Sequence, residues 1–186
     1  HNTSFCTNGT LLTNVGVERI VATGVDSIYV SLDGASVDAN NGIRGIRSFE
    51  RCIEGLKELD CAIDSSGLDI DLCLSVTATA TIYESVVEIP QLLDRLGVTI
   101  EKLGVFPVIT VGFLGARPDL KLHEGTWLGL CEQLCSTWRS YPRLSFLCMP
   151  NPELAVRYLA KKYSLILPES ISDCPVLERR DAARIL

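Results

Sequence analysis

A hydroxyl, a carboxylate and a guanidinium group follow one short alternating segment of the chain. Residues 27–32 alternate apolar and polar side chains, which predicts a strand with Ser31 and Asp33 on its more polar face. Arg44 follows in a polar segment, residues 35–47, that we interpret as a loop. Ligands of α/β sheets bind beyond the carboxyl ends of the strands, so we expect these three side chains to line one concave site. They could bind a ribose or an amino group and hold a carboxylate through two N–H groups, or they could bind a phosphate or a sugar.

The other candidate groups have simpler interpretations. His123 precedes a predicted helix and has no second histidine near it, which is typical of a solvated helix start. Asp69 and Asp71 have strand spacing and could pair as carboxylates, but a strand start facing solvent is the better explanation, because no other candidate group converges on them. Cys131 and Cys135 lie on an apolar helical face, where cysteines usually act as small hydrophobic residues.

Four short motifs together resemble the radical S-adenosylmethionine (SAM) enzymes. They read Thr-Asn-Gly-Thr at residues 7–10, Val-Ser-Leu-Asp-Gly at 30–34, Ile-Arg-Gly at 43–45 and Ser-Phe-Glu at 48–50. The resemblance covers residues 1 to about 115. It is closest to the branch that contains molybdenum-cofactor biosynthesis protein A, sulfatase-maturing enzymes and the SPASM-domain enzymes. A parent enzyme of this kind is expected to modify a peptide or a cofactor precursor by radical chemistry.

The resemblance also implies a set of cofactor-binding residues. By position, Ser31 and Arg44 would contact the methionine part of SAM, and Asn8 and Asp33 would shape its pocket. Thr77 and Val108 would line that pocket. The catalytic residues and the substrate stay unknown from the sequence, and no metal ligand is assigned.

The sequence departs from the family where the iron–sulfur cluster is bound. The family holds a [4Fe–4S] cluster through three cysteines spaced Cys-x3-Cys-x2-Cys, and this spacing is absent here: Trp138 stands where a third cysteine would follow Cys131 and Cys135. We therefore expect no cluster in this chain and only weak binding of SAM. The cluster-bearing part is expected before residue 1, as a possible separate segment. Cys174 alone is too little to indicate an auxiliary cluster domain.

Composition limits the classes of partner. The chain has 186 residues, a net charge of −6 and eight dispersed cysteines. An acidic surface disfavours binding to nucleic acid or to an anionic membrane. Dispersed cysteines within apolar patterns favour reduced thiols and a cytoplasmic protein.

The elements that must position these residues alternate between strand and helix. Strands are predicted near residues 5–6, 27–32, 69–77, 102–111 and 143–149, and helices near 13–21, 49–59, 89–96 and 124–138, with a further helix starting at Asn151. Thr13 is the expected N-cap of the first helix, and Gly24 and Gly97 are expected to end helices. This order predicts an α/β fold, an incomplete TIM-like barrel of parallel strands with outer helices, forming one partial domain over residues 1–186.

Two functions from different classes follow from these observations. The first is a truncated radical SAM enzyme domain that retains part of a SAM pocket and is inactive alone. The second is a non-catalytic α/β domain that oligomerises or binds a partner through an open sheet edge. In both cases we expect a homo-oligomer, because unpaired strand edges favour association.

Overall fold

In the described part of the chain, five parallel strands form one sheet in which the spatial order of the strands follows their order in the chain. The computed structural model describes residues 3–109, 115–138, 140–141 and 145–148. The strands are β1 (Ser4–Thr7), β2 (Ser27–Ser31), β3 (Asp71–Ala78), β4 (Lys102–Pro107) and β5 (Ser145–Cys148). Each strand pairs in parallel with the next. A parallel sheet that grows in sequence order, with helices in the crossovers, is a partial TIM-like barrel, and this confirms the predicted fold class.

Helices fill the connections between the strands. They are α1 (Leu12–Val15), α2 (Val17–Val21), α3 (Val37–Arg44), α4 (Ser48–Ser66), α5 (Tyr83–Val86), α6 (Ile89–Leu96) and α7 (Glu124–Trp138), and a short 3-10 helix spans Pro118–Leu120. None of the helices in the described part of the chain is long and apolar enough to cross a bilayer.

The two faces of the sheet differ in polarity. Alternate residues of the three central strands point toward the helices and are fully buried, namely Ile28, Val30, Leu74, Val76, Leu103 and Val105. Burying a side chain of this size contributes about 1.5–3 kcal/mol. The opposite face carries Tyr29, Ser31, Ser75, Thr77 and Lys102, all half-buried. This polar face corresponds to the interior of a barrel.

The interpretation of residues 35–47 as a loop is wrong, because α3 occupies Val37–Arg44. Ser36 caps this helix: its side-chain oxygen accepts a hydrogen bond from the Ala39 N–H at 3.2 Å. The buried face of α3 is provided by Asn40, which is polar. Hydrophobic periodicity therefore gave no signal for this helix.

Smaller corrections concern the first helix. Thr13 is not an N-cap, because it lies inside α1, which follows Leu11. Gly16, with φ of 82°, separates α1 from α2. The expected terminating glycines are confirmed, since Gly24 and Gly97 adopt φ of 67° and 66° beyond the ends of α2 and α6. The helix predicted from Asn151 and the side chain of Cys174 lie outside the described residues.

Candidate functional site

A cavity of about 360 Å³ lies at the carboxyl ends of the strands. Asn8 follows β1, Asp33 follows β2, Thr77 lies near the end of β3 and Val108 follows β4. The residues that line this strand-end cavity are Asn8, Thr10, Asp33, Ile43, Arg44, Ser48, Thr77, Thr79, Val108 and Leu120. The structure therefore brings together Asn8, Asp33, Arg44, Thr77 and Val108, which the sequence had assigned to one pocket.

Ser31 is not among the residues that line the strand-end cavity. It is half-buried, and its neighbours Val30 and Leu32 are both fully buried against the helices. Strand alternation therefore places Ser31 on the polar face of the sheet, below the cavity. Its carbonyl oxygen lies 3.7 Å from the Cys52 thiol, which donates a weak hydrogen bond to it.

Asp33 and Arg44 form an ion pair in the wall of the cavity. The Arg44 Nη2 group donates to Asp33 Oδ1 at 3.0 Å, and Arg44 Nε lies 2.7 Å from Asp33 Oδ2. The Nε–H bond is poorly aligned with any acceptor, so the Nη2 hydrogen bond and the charge attraction hold the pair. Asp33 is 1% exposed, and its Oδ1 also accepts the Thr77 N–H at 2.7 Å. One carboxylate thus joins the ends of β2 and β3 to α3.

This geometry bears on the expected role of Arg44. The sequence suggested that Arg44 holds the carboxylate of a ligand through two N–H groups. In the structure, the Nε and Nη2 side of the guanidinium faces Asp33. A guanidinium has five N–H donors, so Asp33 uses part of that capacity.

The Asn8–Gly9 turn shapes the opposite wall. Asn8 Oδ1 accepts hydrogen bonds from the Thr10 N–H at 3.1 Å and the Thr10 hydroxyl at 2.9 Å. Gly9 has φ of 77°, and a Cβ atom there would lie 2.8 Å from the Cys52 sulfur. Because the turn uses the oxygen of the Asn8 amide, its nitrogen can serve as a donor. Burial raises the pKa of the Cys52 thiol to about 12, so this cysteine is a packing residue.

Sequence reasoning missed several lining residues. Thr10 and Ser48 lie within the quoted motifs, so their proximity to the site had a signal. Thr79 and Leu120 had no such signal in the sequence. Leu120 reaches the cavity from the 3-10 helix. It does so through a hydrogen bond from the Ala80 N–H to the Leu120 carbonyl at 2.9 Å. Ile43 lies within the quoted Ile-Arg-Gly motif at 43–45 and had the same signal as Thr10 and Ser48.

The remaining candidate groups lie away from this cavity. His123 is exposed before α7, and Cys131 is buried in the hydrophobic core. Asp71 forms an ion pair with Lys102 at the amino end of the sheet and is not paired with Asp69. Within the described ranges, no three His, Cys, Asp or Glu side chains cluster in a way that could hold a metal ion.

A larger groove of about 680 Å³ lies on the outer surface between α2 and α4. Its lining is mostly apolar, with Glu18, Lys57 and Glu58 as its charged groups. The groove lies outside the sheet and away from the strand ends. We therefore take the smaller strand-end cavity as the candidate site, because residues from four strand ends converge there and three of those ends supply polar side chains.

Comparison with known proteins finds enzymes whose sequences are similar to about half of this chain. It is 34% identical over 92 residues to the AdoMet-dependent heme synthase of Methanosarcina barkeri, a match that covers 49% of this chain and 25% of that protein. It is 33% identical over 96 residues to the mycofactocin maturase MftC of Mycobacterium tuberculosis, covering 52% of this chain and 23% of MftC. The chain is related to the radical SAM enzymes. It spans about a quarter of the length of these curated relatives.

Solved structures agree at the level of the fold. Streptococcus suis SuiB bound to the precursor peptide SuiA superposes with a TM-score of 0.60 and 18% identity, covering 82% of this chain and 34% of SuiB. SuiB bound to S-adenosylmethionine gives a TM-score of 0.59 and 17% identity, covering 79% of this chain and 32% of SuiB. No family model matches the chain.

Proposed function

We propose that the chain is part of a radical SAM enzyme and that the strand-end cavity binds part of SAM. The observation that carries the proposal is the convergence of Asn8, Asp33, Arg44, Thr77 and Val108 on one cavity. These are residues that the family resemblance assigns to the SAM pocket. Residues 1–186 then form a single partial domain of that enzyme.

The chemistry of the lining supports a ligand of this kind. Four hydroxyl residues line the cavity, namely Thr10, Ser48, Thr77 and Thr79. Thr10 and Ser48 donate their hydroxyl hydrogens to Asn8 and Asn41, so these two can only accept hydrogen bonds from a ribose. The Asn8 amide nitrogen and the donors of Arg44 not used by Asp33 can bind a carboxylate. Ile43, Val108 and Leu120 add apolar surface. A volume of about 360 Å³ is at the lower end of the range for small-molecule sites, about 300–1,000 Å³.

The role of this chain in the reaction is to bind and orient. SAM, when bound beside a reduced cluster, supplies an organic radical to these enzymes. Within the described residues no three candidate ligand side chains lie together, and the proposal assigns the cluster to a separate segment or partner. Here the Asp33–Arg44 pair keeps one wall of the cavity close to neutral, and the hydroxyls fix the orientation of the ligand.

The parent enzyme is proposed to modify a peptide or a cofactor precursor. The names of the relatives support this class: a heme synthase, a mycofactocin maturase, and SuiB solved with its precursor peptide. A non-catalytic oligomerising domain is the second candidate, because β1 pairs on one side only within the described residues and its strand is mostly exposed.

Calorimetric titration of the chain with SAM tests the proposed site. We expect saturable binding that is abolished or weakened about tenfold or more in the double variant Asp33→Asn/Arg44→Met, because hydrogen bonds to charged groups contribute about 1.5–3 kcal/mol. This double change removes both charges together and leaves no unpaired buried ion. The matched control is Asp71→Asn/Lys102→Met, which removes the ion pair at the opposite end of the sheet. No binding by the folded wild-type chain at about 1 mM SAM, or equal losses in both double variants, would contradict the proposal.

A further inference from the structure

Asn40 is a polar residue of α3 that is completely buried, at 0% exposure. Its Oδ1 atom accepts a hydrogen bond from the Asp33 N–H at 2.9 Å, and its Nδ2 group donates to the Ser48 hydroxyl at 3.0 Å. Asn40 does not line the strand-end cavity. Both the oxygen and the nitrogen of its amide form hydrogen bonds within the protein. Asn40 can therefore affect a ligand only through the residues to which it is hydrogen-bonded.

Those residues belong to the wall of the cavity. Asp33 and Ser48 both line it, and Arg44 lies four residues after Asn40, on the same side of α3. The Asn40 amide therefore fixes the backbone of Asp33 relative to the helix that carries Arg44. The side chains of Asp33 and Arg44 then meet in the ion pair.

The packing around Asn40 leaves little freedom. A Cβ atom at Gly34 would lie 2.5 Å from the Ala39 Cβ and 3.2 Å from the Asn40 nitrogen, so the loop after β2 passes directly against α3. The Ser48 hydroxyl donates a hydrogen bond to Asn41 Oδ1 at 2.8 Å, and that oxygen also accepts a hydrogen bond from the Phe49 N–H at 2.8 Å. One continuous network thus connects the end of β2, the helix α3 and the first turn of α4.

We propose that Asn40 is a positioning residue of the SAM site and that it acts through the Asp33–Arg44 pair. This inference rests on the proposed function for its ligand and on the hydrogen-bond network for its mechanism. A buried N–H group without an acceptor is costly, so loss of the Asn40 oxygen forces the Asp33 backbone to move or to admit water. Either response displaces the carboxylate from Arg44 and from the Thr77 N–H.

The test compares three truncations in the same network. Asn40→Ala removes both contacts of the amide. Ser48→Ala keeps the contact with the Asp33 N–H and removes the acceptor of the Asn40 Nδ2 group together with the donor to Asn41 Oδ1. Glu50→Ala is the matched control, because it truncates the exposed end of the network, where Asn41 Nδ2 donates to Glu50 at 3.2 Å. Each variant is measured for SAM affinity by calorimetry and for hydrogen exchange at Arg44 Nε by NMR. Arg44 Nε is buried, and its resonance is assigned by its disappearance in Arg44→Lys.

We expect folded Asn40→Ala to bind SAM about tenfold more weakly and to exchange the Arg44 Nε hydrogen at least about tenfold faster. Ser48→Ala should change both quantities in the same direction by less, and Glu50→Ala should change neither. A folded Asn40→Ala chain with wild-type exchange and wild-type affinity would overturn the proposal. If Asn40→Ala does not fold, Ser48→Ala decides it: faster exchange at Arg44 supports the proposal, and unchanged exchange overturns it. If the wild-type chain binds no SAM, the proposed function fails, and exchange at Arg44 alone decides whether Asn40 positions the pair.

Discussion

The carboxylate of Asp33 shows how one side chain assembles the site. It is 1% exposed and accepts hydrogen bonds from Arg44 and from the Thr77 N–H. Removing one partner from a buried ion pair of this kind typically costs about 3–5 kcal/mol, because the other charge is left uncompensated. Asp33 therefore stabilises the strand ends as well as lining the cavity, and single substitutions there confound folding with binding.

A glycine substitution beside Asp33 gives a clean test at the residue scale. Gly34→Ala places a Cβ atom 2.5 Å from the Ala39 Cβ, so we expect the free energy of unfolding to fall by about 1–3 kcal/mol. Urea denaturation followed by circular dichroism measures this loss. The control is Gly42→Ala, in α3 itself, where a Cβ atom meets nothing within 4 Å. That change should stabilise by about 0.5–1 kcal/mol, because alanine is the better helix former.

A second-site change identifies the clash directly. Ala39→Gly removes the atom that the new Cβ would meet, so Gly34→Ala/Ala39→Gly should recover part of the loss in a double-mutant cycle. If Gly34→Ala unfolds at the same urea concentration as the wild type, the close approach of this loop to α3 is not what the structure describes.

The strands and helices with strong hydrophobic periodicity could be predicted from the sequence. The alternation at residues 69–77 predicted β3. The helix α6, which ends at Gly97, was predicted from an apolar stripe formed by Ile89, Leu92, Leu93 and Leu96. These elements bury apolar side chains at regular intervals, so the pattern is visible in the residues themselves. Helix α3 buries Asn40 in place of an apolar residue, and its stability comes from the Ser36 cap and a tertiary hydrogen-bond network. Such contacts are set by distant residues and leave no period in the sequence.

The same distinction applies to the candidate site. The position of Asp33 at a strand end predicted its place in the site, because the carboxyl ends of parallel strands meet at one edge of the sheet. Asn8, Thr77 and Val108 were assigned to the pocket by the resemblance to the radical SAM enzymes. The ion pair between Arg44 and Asp33 was not predicted, since it depends on how α3 packs over the loop after β2. Leu120 enters the cavity from a segment about 40 residues beyond its partner Ala80, which no local pattern could indicate.

The contact of α4 with the loop before β4 predicts a pH effect. Asp60 accepts the Thr99 N–H at 3.3 Å, yet partial burial raises the pKa of its carboxyl group, and nearby Asp64 adds to the rise. A carboxyl whose pKa is higher in the folded state binds protons more tightly there, so stability falls as the pH rises from the unfolded to the folded pKa. The full penalty is then present at neutral pH.

Asp60→Asn should therefore stabilise the chain at pH 7, by less than about 1 kcal/mol because the group is partly solvated. The advantage of the asparagine should shrink as the pH falls below the folded pKa of Asp60. Thermal unfolding of both chains at several pH values measures this dependence. Asp64→Asn is the companion variant, and it should give a smaller gain. A loss of stability in Asp60→Asn at pH 7 would show that the hydrogen bond to Thr99 outweighs the burial of the charge.

In the part of the chain that the structure describes, the sheet is open and has two edges. Within the described residues, β1 pairs only with β2, and β5 pairs only with β4. The polar face that would line a closed barrel carries Tyr29, Ser31 and Thr77, all half-buried. The chain also spans about a quarter of the length of its curated relatives. These features motivate the expectation that the 186-residue chain associates.

We expect this chain in isolation to form a dimer or a higher oligomer. An unpaired strand edge offers free N–H and C=O groups to another chain, and two copies can cover their edges around a two-fold axis. Light scattering after size-exclusion chromatography, across a dilution series, measures the mass. Phe5, 39% exposed on β1, lies at this edge, and Phe5→Lys should shift the mass toward one chain by placing a charge in the contact. Ile46→Lys is the control, because Ile46 is 92% exposed between α3 and α4. A single-chain mass at every concentration, with an unfolding temperature that does not depend on dilution, would refute association and leave the β1 edge to be covered within one chain.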